Sequence, residues 1–154
     1  MATKFEPRFS DQTESARLAA ELTRAHEELL SELRNMEAIQ SNASPDQAQW
    51  TSARWKLSRA SRRRRMIVND CYPLAMQSAT ALELTQLLSL RANDLPMLEK
   101  SRSHMEKWSR EQIEADWVGY CAASAVIRMG MKERLVAERR IILPLLQRLA
   151  VRTK

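Results

Sequence analysis

Glycine is nearly missing from this chain, with two in 154 residues. That removes the glycine-rich loops that cradle phosphates, and two histidines with no Ser-His or Cys-His arrangement leave no nucleophile–base pairing either. Hydrolase and phosphoryl-transfer chemistry are therefore not expected, and the chain reads as a non-enzyme. Cysteine is equally scarce. Cys71 and Cys121 lie in apolar surroundings with no CxxC partner and read as buried free thiols of a reducing compartment, with a single bridge between them left open. No apolar run approaches the ~20 residues of a membrane span. The segment Met1 to Ser10 has no apolar signal core, so the expected setting is cytoplasmic.

What is present favours helix. Hydrophobic residues make up 44% and charged residues 29%, a globular balance. The length suits one domain able to bury a core without disulfides or metals. Ala, Leu, Glu, Gln, Arg and Met abound, and all are good helix formers. Four start signals recur. Asp11 stands three residues before Glu14. In Ser44-Pro45-Asp46-Gln47, Ser44 can cap, Pro45 suits the first helical position and Gln47 can bond back. Thr80-x-x-Glu83 and Ser109-x-x-Gln112 repeat the capping box. These signals predict helices over 11–40, 45–77, 80–107 and 110–150. The short connections imply an all-α, up-down-up-down antiparallel four-helix bundle over residues 11–150. Residues 1–10 are expected to form a flexible arm, and 151–154 a C-terminal tail.

Apolar periodicity agrees with that division. The first helix carries Leu18, Leu22, His26, Leu29, Leu33 and Met36 on one stripe. The second carries Trp50, Leu57, Ala60, Ile67, Cys71 and Leu74. The third carries Leu84, Leu87, Leu88, Leu95, Leu98, Met105 and Trp108, with an interruption near Asn93-Asp94 where Pro96 kinks or restarts it. The fourth carries Ile113, Trp117, Tyr120, Cys121, Ile127, Met131, Leu135, Glu138, Ile142, Leu145 and Leu149.

One weak internal echo links the second and fourth helices. Cys71-Tyr72-Pro73-Leu74-Ala75-Met76-Gln77 resembles Ile142-Leu143-Pro144-Leu145-Leu146-Gln147. Six residues before each proline stand Ile67 and Glu138; ten before stand Arg63 and Arg134. The echo reflects either a pseudo-twofold through the bundle or chance similarity of two apolar helix ends. At these residues the chain resembles the hemerythrin-like (HHE cation-binding) family. Glu138-Arg139-Arg140-Ile141-Ile142-Leu143-Pro144-Leu145 is similar to that family's fourth-helix segment, Ala25-His26-Glu27-Glu28-Leu29 to its first-helix histidine, and Asp70-Cys71-Tyr72-Pro73 to the end of its second helix. The resemblance spans residues 15 to 150 and implies an up-down four-helix bundle that, in complete members, encloses a di-iron site held by histidines and two carboxylates.

This chain departs from that ligand set. By the resemblance, Arg63 stands at the second-helix histidine position, Ile67 at its glutamate and Arg134 at the fourth-helix histidine; His26 and Glu138 are retained. Arginine is no metal ligand, and its charge repels one. The expectation is a metal-free vestigial site with no cofactor. Glu138 interrupts an apolar stripe, and a carboxylate facing a core must be paired or protonated. We expect a buried polar network of Glu138, His26 and an arginine, Arg134 or Arg63, with a guanidinium in the space and charge role of the metal. The alternative places Glu138 at the stripe's edge with both arginines reaching water. His26 can equally be a hydrogen-bonded core histidine, or, with Glu138 and His104, part of an altered iron or zinc site.

The net charge is +6, spread along the helices except for Arg62-Arg63-Arg64-Arg65. Arg62, Arg64 and Arg65 are candidates for anion binding. Four consecutive helical positions point all round the axis, however, and no recognition motif accompanies them, so a solvated face is the plainer reading and nucleic acid is not the expected partner. Trp50 and Trp55 cannot share one narrow stripe, which places one of them at an interface and makes a homodimer plausible. Function by sequence is thus a binding, regulatory or structural module with an unidentified protein or small-molecule partner. A metal-binding protein is the alternative, and a basic anion or nucleic-acid binder the third reading.

Overall fold

The computed structural model describes residues 8–151, which are all-α: α1 (Phe9–Gln40), α2 (Gln47–Ser78), α3 (Ala81–Ala92), α4 (Asp94–Lys107), α5 (Arg110–Ala115) and α6 (Trp117–Val151). No helix among the described residues is long and apolar enough to cross a membrane. Residues 1–7 of the expected arm and 152–154 of the expected tail lie outside the described residues. Phe9, Ser10 and Val151 belong to helices, so the arm and tail boundaries drawn from sequence were misplaced there.

Long-range hydrogen bonds fix how the long helices run. Ser15, His26 and Gln40 of α1 bond Leu146, Glu138 and Ser124 of α6, so those two helices are antiparallel. Arg64 and Ser78 of α2 bond Glu138 and Leu145, so α2 and α6 are parallel. Tyr72 bonds Asp94 while Arg54 bonds Trp108, so α4 runs against α2.

Helix starts are only partly as the sequence suggests. Thr80 forms the full capping box, with Oγ1 accepting from Glu83 N (3.3 Å) and Glu83 accepting from Thr80 N (3.0 Å). Ser109 Oγ accepts from Gln112 N. At α2 the cap is Asp46, not Ser44: its carboxylate accepts from Gln49 N, and the helix starts at Gln47. Asp11 lies inside α1, in its first turn. The expected third helix is two, with the break at Asn93 and Pro96 tolerated in the first turn of α4. The expected fourth helix breaks at Asp116, whose carboxylate caps Gly119 N at 2.9 Å. A Cβ on Gly119 would collide with that carboxylate, which accounts for one of the two glycines.

The α1 stripe is buried throughout, and the α6 stripe nearly so. Around it lie three apolar clusters. One gathers Leu18, Leu22, Cys71, Ile142 and Leu145; the second Leu29, Leu33, Ala60 and Leu135; the third Trp50, Trp108, Ile113, Trp117 and Tyr120. The third-helix stripe is corrected by the structure. Leu87 and Leu90 are buried, Leu88, Leu95 and Met105 are exposed, and α4 has no fully buried residue. That helix lies along the rim, chiefly against α6, instead of filling a full corner of the core. Cys71 is buried with its thiol pushed up to about 12 by burial; Cys121 is half-buried, and both are free.

Candidate functional site

The second cluster is separated from the first by a polar layer centred on Glu138. This glutamate is placed by the α6 stripe itself, seven residues from Met131 and four from Ile142, and is 0% exposed. His26, one turn before Leu29 and Leu30 on α1, lies opposite. Its Nε2 donates to Glu138 Oε1 at 2.9 Å, while its Nδ1 is buried without a partner. The other carboxylate oxygen, Oε2, accepts from two guanidiniums, Nη1 of Arg64 and Nε of Arg134, the latter at 2.8 Å.

Arg134 carries the network onward. Its Nη1 donates to the Leu90 carbonyl oxygen (2.7 Å), and its Nη2 donates to the Tyr72 hydroxyl (3.0 Å) and to Asp94. Tyr72 in turn donates to Asp94 Oδ2 at 2.9 Å. Five helices are joined through one connected set: α1 by His26, α2 by Arg64 and Tyr72, α3 by Leu90, α4 by Asp94 and α6 by Arg134 and Glu138. Two guanidiniums face two carboxylates, so the layer is electrically balanced, the condition under which buried charge is tolerated.

The electrostatics follow. Burial alone would raise the Glu138 pKa, but the hydrogen bond from His26, the charge of Arg64 and the bond and charge of Arg134 hold it below the ordinary carboxylate value. Burial opposes the charge on Arg134 too, yet the bond to Glu138 and the charges of Glu138 and Asp94 raise it. The Tyr72 hydroxyl is pushed up, mainly by burial, and acts as a neutral donor and acceptor.

The structure brings His26, Arg134 and Glu138 together, and Ile67 is buried nearby on α2. Arg63 is elsewhere, on the exposed side of α2, pairing with Glu28 at 3.1 Å, so the arginine expected from α2 was assigned one residue too early; Arg64 fills that place. His104 stacks on Tyr120 with ring centroids 5.8 Å apart, in the aromatic cluster, and does not join His26 and Glu138. Asp94, Tyr72 and Leu90 carry no signal that sequence reasoning used, although Tyr72 sits inside the Cys71-Tyr72-Pro73 echo. Of the candidate anion-binding arginines, Arg64 is committed to Glu138, whereas Arg62 is exposed and Arg65 half-buried.

No group of three His, Cys, Asp or Glu among the described residues could hold a metal ion. The donor set around Glu138 does not fit one either, because both arginine charges already occupy one carboxylate oxygen and would repel a cation. In comparisons with known proteins, no family model, no curated protein and no solved structure matches this chain.

Proposed function

We propose that the chain is a non-enzymatic helical module, a hemerythrin-like up-down four-helix bundle in which guanidinium groups stand where the resembled family holds a metal pair. In this reading α1, α2, the α3–α4 pair and α6 are the four members, as the antiparallel and parallel pairings support. The observation that carries it is the pair of arginines, Arg64 and Arg134, on a fully buried Glu138 that also takes His26. Such a layer replaces a metal's positive charge by fixed donors and ties five helices together without chemistry at a substrate. The module binds or scaffolds a partner in the cytoplasm. A homodimer belongs to this reading, since Trp55 is 62% exposed and Met66 shares its face of α2.

Elemental analysis of untagged protein, with an absorption spectrum after iron supplementation under reducing conditions, tests this. The expected result is below about a tenth of a metal per chain and no charge-transfer band. Stoichiometric iron or zinc would overturn the reading and favour the altered metal site at His26 and Glu138.

A further inference from the structure

Beside the polar layer, a cleft of about 460 Å³ opens between α1, α2, α4 and α6. Its size lies in the range of small-molecule sites. Apolar side chains line much of it, with Leu33 from α1, Leu57 from α2, Leu98 from α4 and Met131 from α6, and Ser61 and Ser101 line it as well. Arg62 and Arg65 reach it from α2, three residues apart and so on one face, and Arg102 reaches it from α4. Glu106 is the one carboxylate in the lining, and it pairs with none of them. Among the described residues, Arg62, Arg65 and Arg102 make no ion pair. Arg65 is held below its ordinary value, first by burial and then by the charges of Arg64, Arg102 and Arg62.

Like charges gathered at an apolar cleft, none of them held in an ion pair with a protein carboxylate, leave a place for a negative group with a greasy body. We propose that this cleft binds a small amphipathic organic anion, its apolar body against Leu33, Leu57, Leu98 and Met131 and its carboxylate on Arg62, Arg65 and Arg102. Guanidinium suits a carboxylate through two parallel N–H···O bonds, and Arg65, half-buried, supplies them in a partly dehydrated setting. The inference goes beyond the module reading and does not depend on it: the metal content of the Glu138 layer can come out either way while the cleft is tested separately.

The experiment is isothermal titration of the full chain with decanoate below its micelle concentration, with decanol and acetate as paired probes. Decanoate is expected to bind saturably at one site, with acetate showing no saturable heat and decanol binding at least about tenfold more weakly. The double variant Arg65→Gln, Arg102→Gln should weaken decanoate about tenfold or more, with helix content by circular dichroism unchanged. Ser61→Phe, which fills the cleft without touching a charge, should abolish binding. No saturable decanoate binding, equal binding of decanol, or decanoate affinity unchanged in both variants would each overturn the proposal.

Discussion

Arg64 and Arg65 are sequence neighbours on α2, yet they inhabit opposite electrostatic worlds. Arg64 enters a layer in which two guanidiniums meet the buried Glu138, the half-buried Asp94 and a histidine. Arg65 faces a cleft shared with Arg62 and Arg102, and the charges that act on it are of its own sign. The difference is one of solvent. A fully buried charge must be matched within the protein, because its desolvation cost is several kcal/mol. A half-buried one can leave part of its charge to water and so hold an unmatched field that a ligand can use. Balanced regions hold a fold together; unbalanced ones are poised to bind.

The largest break in that comparison removes the centre of the balanced side. Glu138→Leu leaves Arg64 and Arg134 buried with their charges, and about 3–5 kcal/mol of stability should be lost. For a chain of this length that lowers the melting temperature by about 10 °C or more, read by circular dichroism. Removing the charges together is different. The double variant Arg64→Met, Glu138→Leu, which leaves Arg134 matched by Asp94, should recover most of the loss, since a buried ionic set replaced by apolar side chains of similar volume is often neutral. A double variant as unstable as the single one would mean that the layer contributes more than charge balance.

Adjacent arginines sharpen the contrast at the next level. Arg64→Gln should cost about 2 kcal/mol or more by denaturant unfolding, because Glu138 loses one of its two guanidiniums inside the protein. Arg63→Gln removes only an exposed pair with Glu28 and should stay within about 0.5 kcal/mol. Equal costs for the two would place the α2 partner of Glu138 wrongly.

Acid separates the regions again. The Glu138 carboxyl lies lower in the folded chain than its ordinary value of 4.5. The unfolded chain therefore binds more protons as pH falls below that value, and the stability gained from the depressed group fades as pH drops toward the folded value. Above about pH 5 the contribution is fully present. Glu138→Gln should flatten this acid limb of the stability profile, whereas Arg65→Gln should leave its shape unchanged. An acid limb identical in the wild type and Glu138→Gln would assign it to other carboxylates.

Much of the frame was legible because it is local. The stripes of α1 and α6 repeat every three or four residues, and the Thr80 capping box is fixed by residues three apart. The edge helices were harder. Leu88, Leu95 and Met105 continue the apolar pattern yet are exposed, since periodicity records which residues could be buried and not whether a partner covers them. The polar layer was half readable. Glu138 and Arg134, one turn apart, announce themselves inside an apolar stripe, but counting back ten from Pro73 lands on Arg63. The face of α2 shows the error. Taking 100° per residue, Arg64 lies about 40° from Ala60 and Arg63 about 60° the other way, and the buried Ala53, Val68 and Ala75 pull the face toward Arg64. Those smaller side chains carried the missing register. Asp94 and Tyr72 meet Arg134 only through the fold, across separations of 40 and 62 residues, and no spacing in the chain encodes that.

The smallest effect tests the unbalanced side directly. If Arg62, Arg65 and Arg102 repel one another without compensation, then Arg65→Gln should not destabilise the fold as Arg64→Gln does. It should leave stability unchanged or raise it by a few tenths of a kcal/mol at low salt, the scale of exposed like-charge pairs. Salt then discriminates the cause. At about 0.5 M the screening length falls to a few ångströms, so the gain should vanish if it came from relieved repulsion. A gain that persists at high salt would instead come from packing or from helix propensity. A loss at low salt would mean that Arg65 is already matched within the protein, and that the two sides of α2 differ less than their geometry suggests.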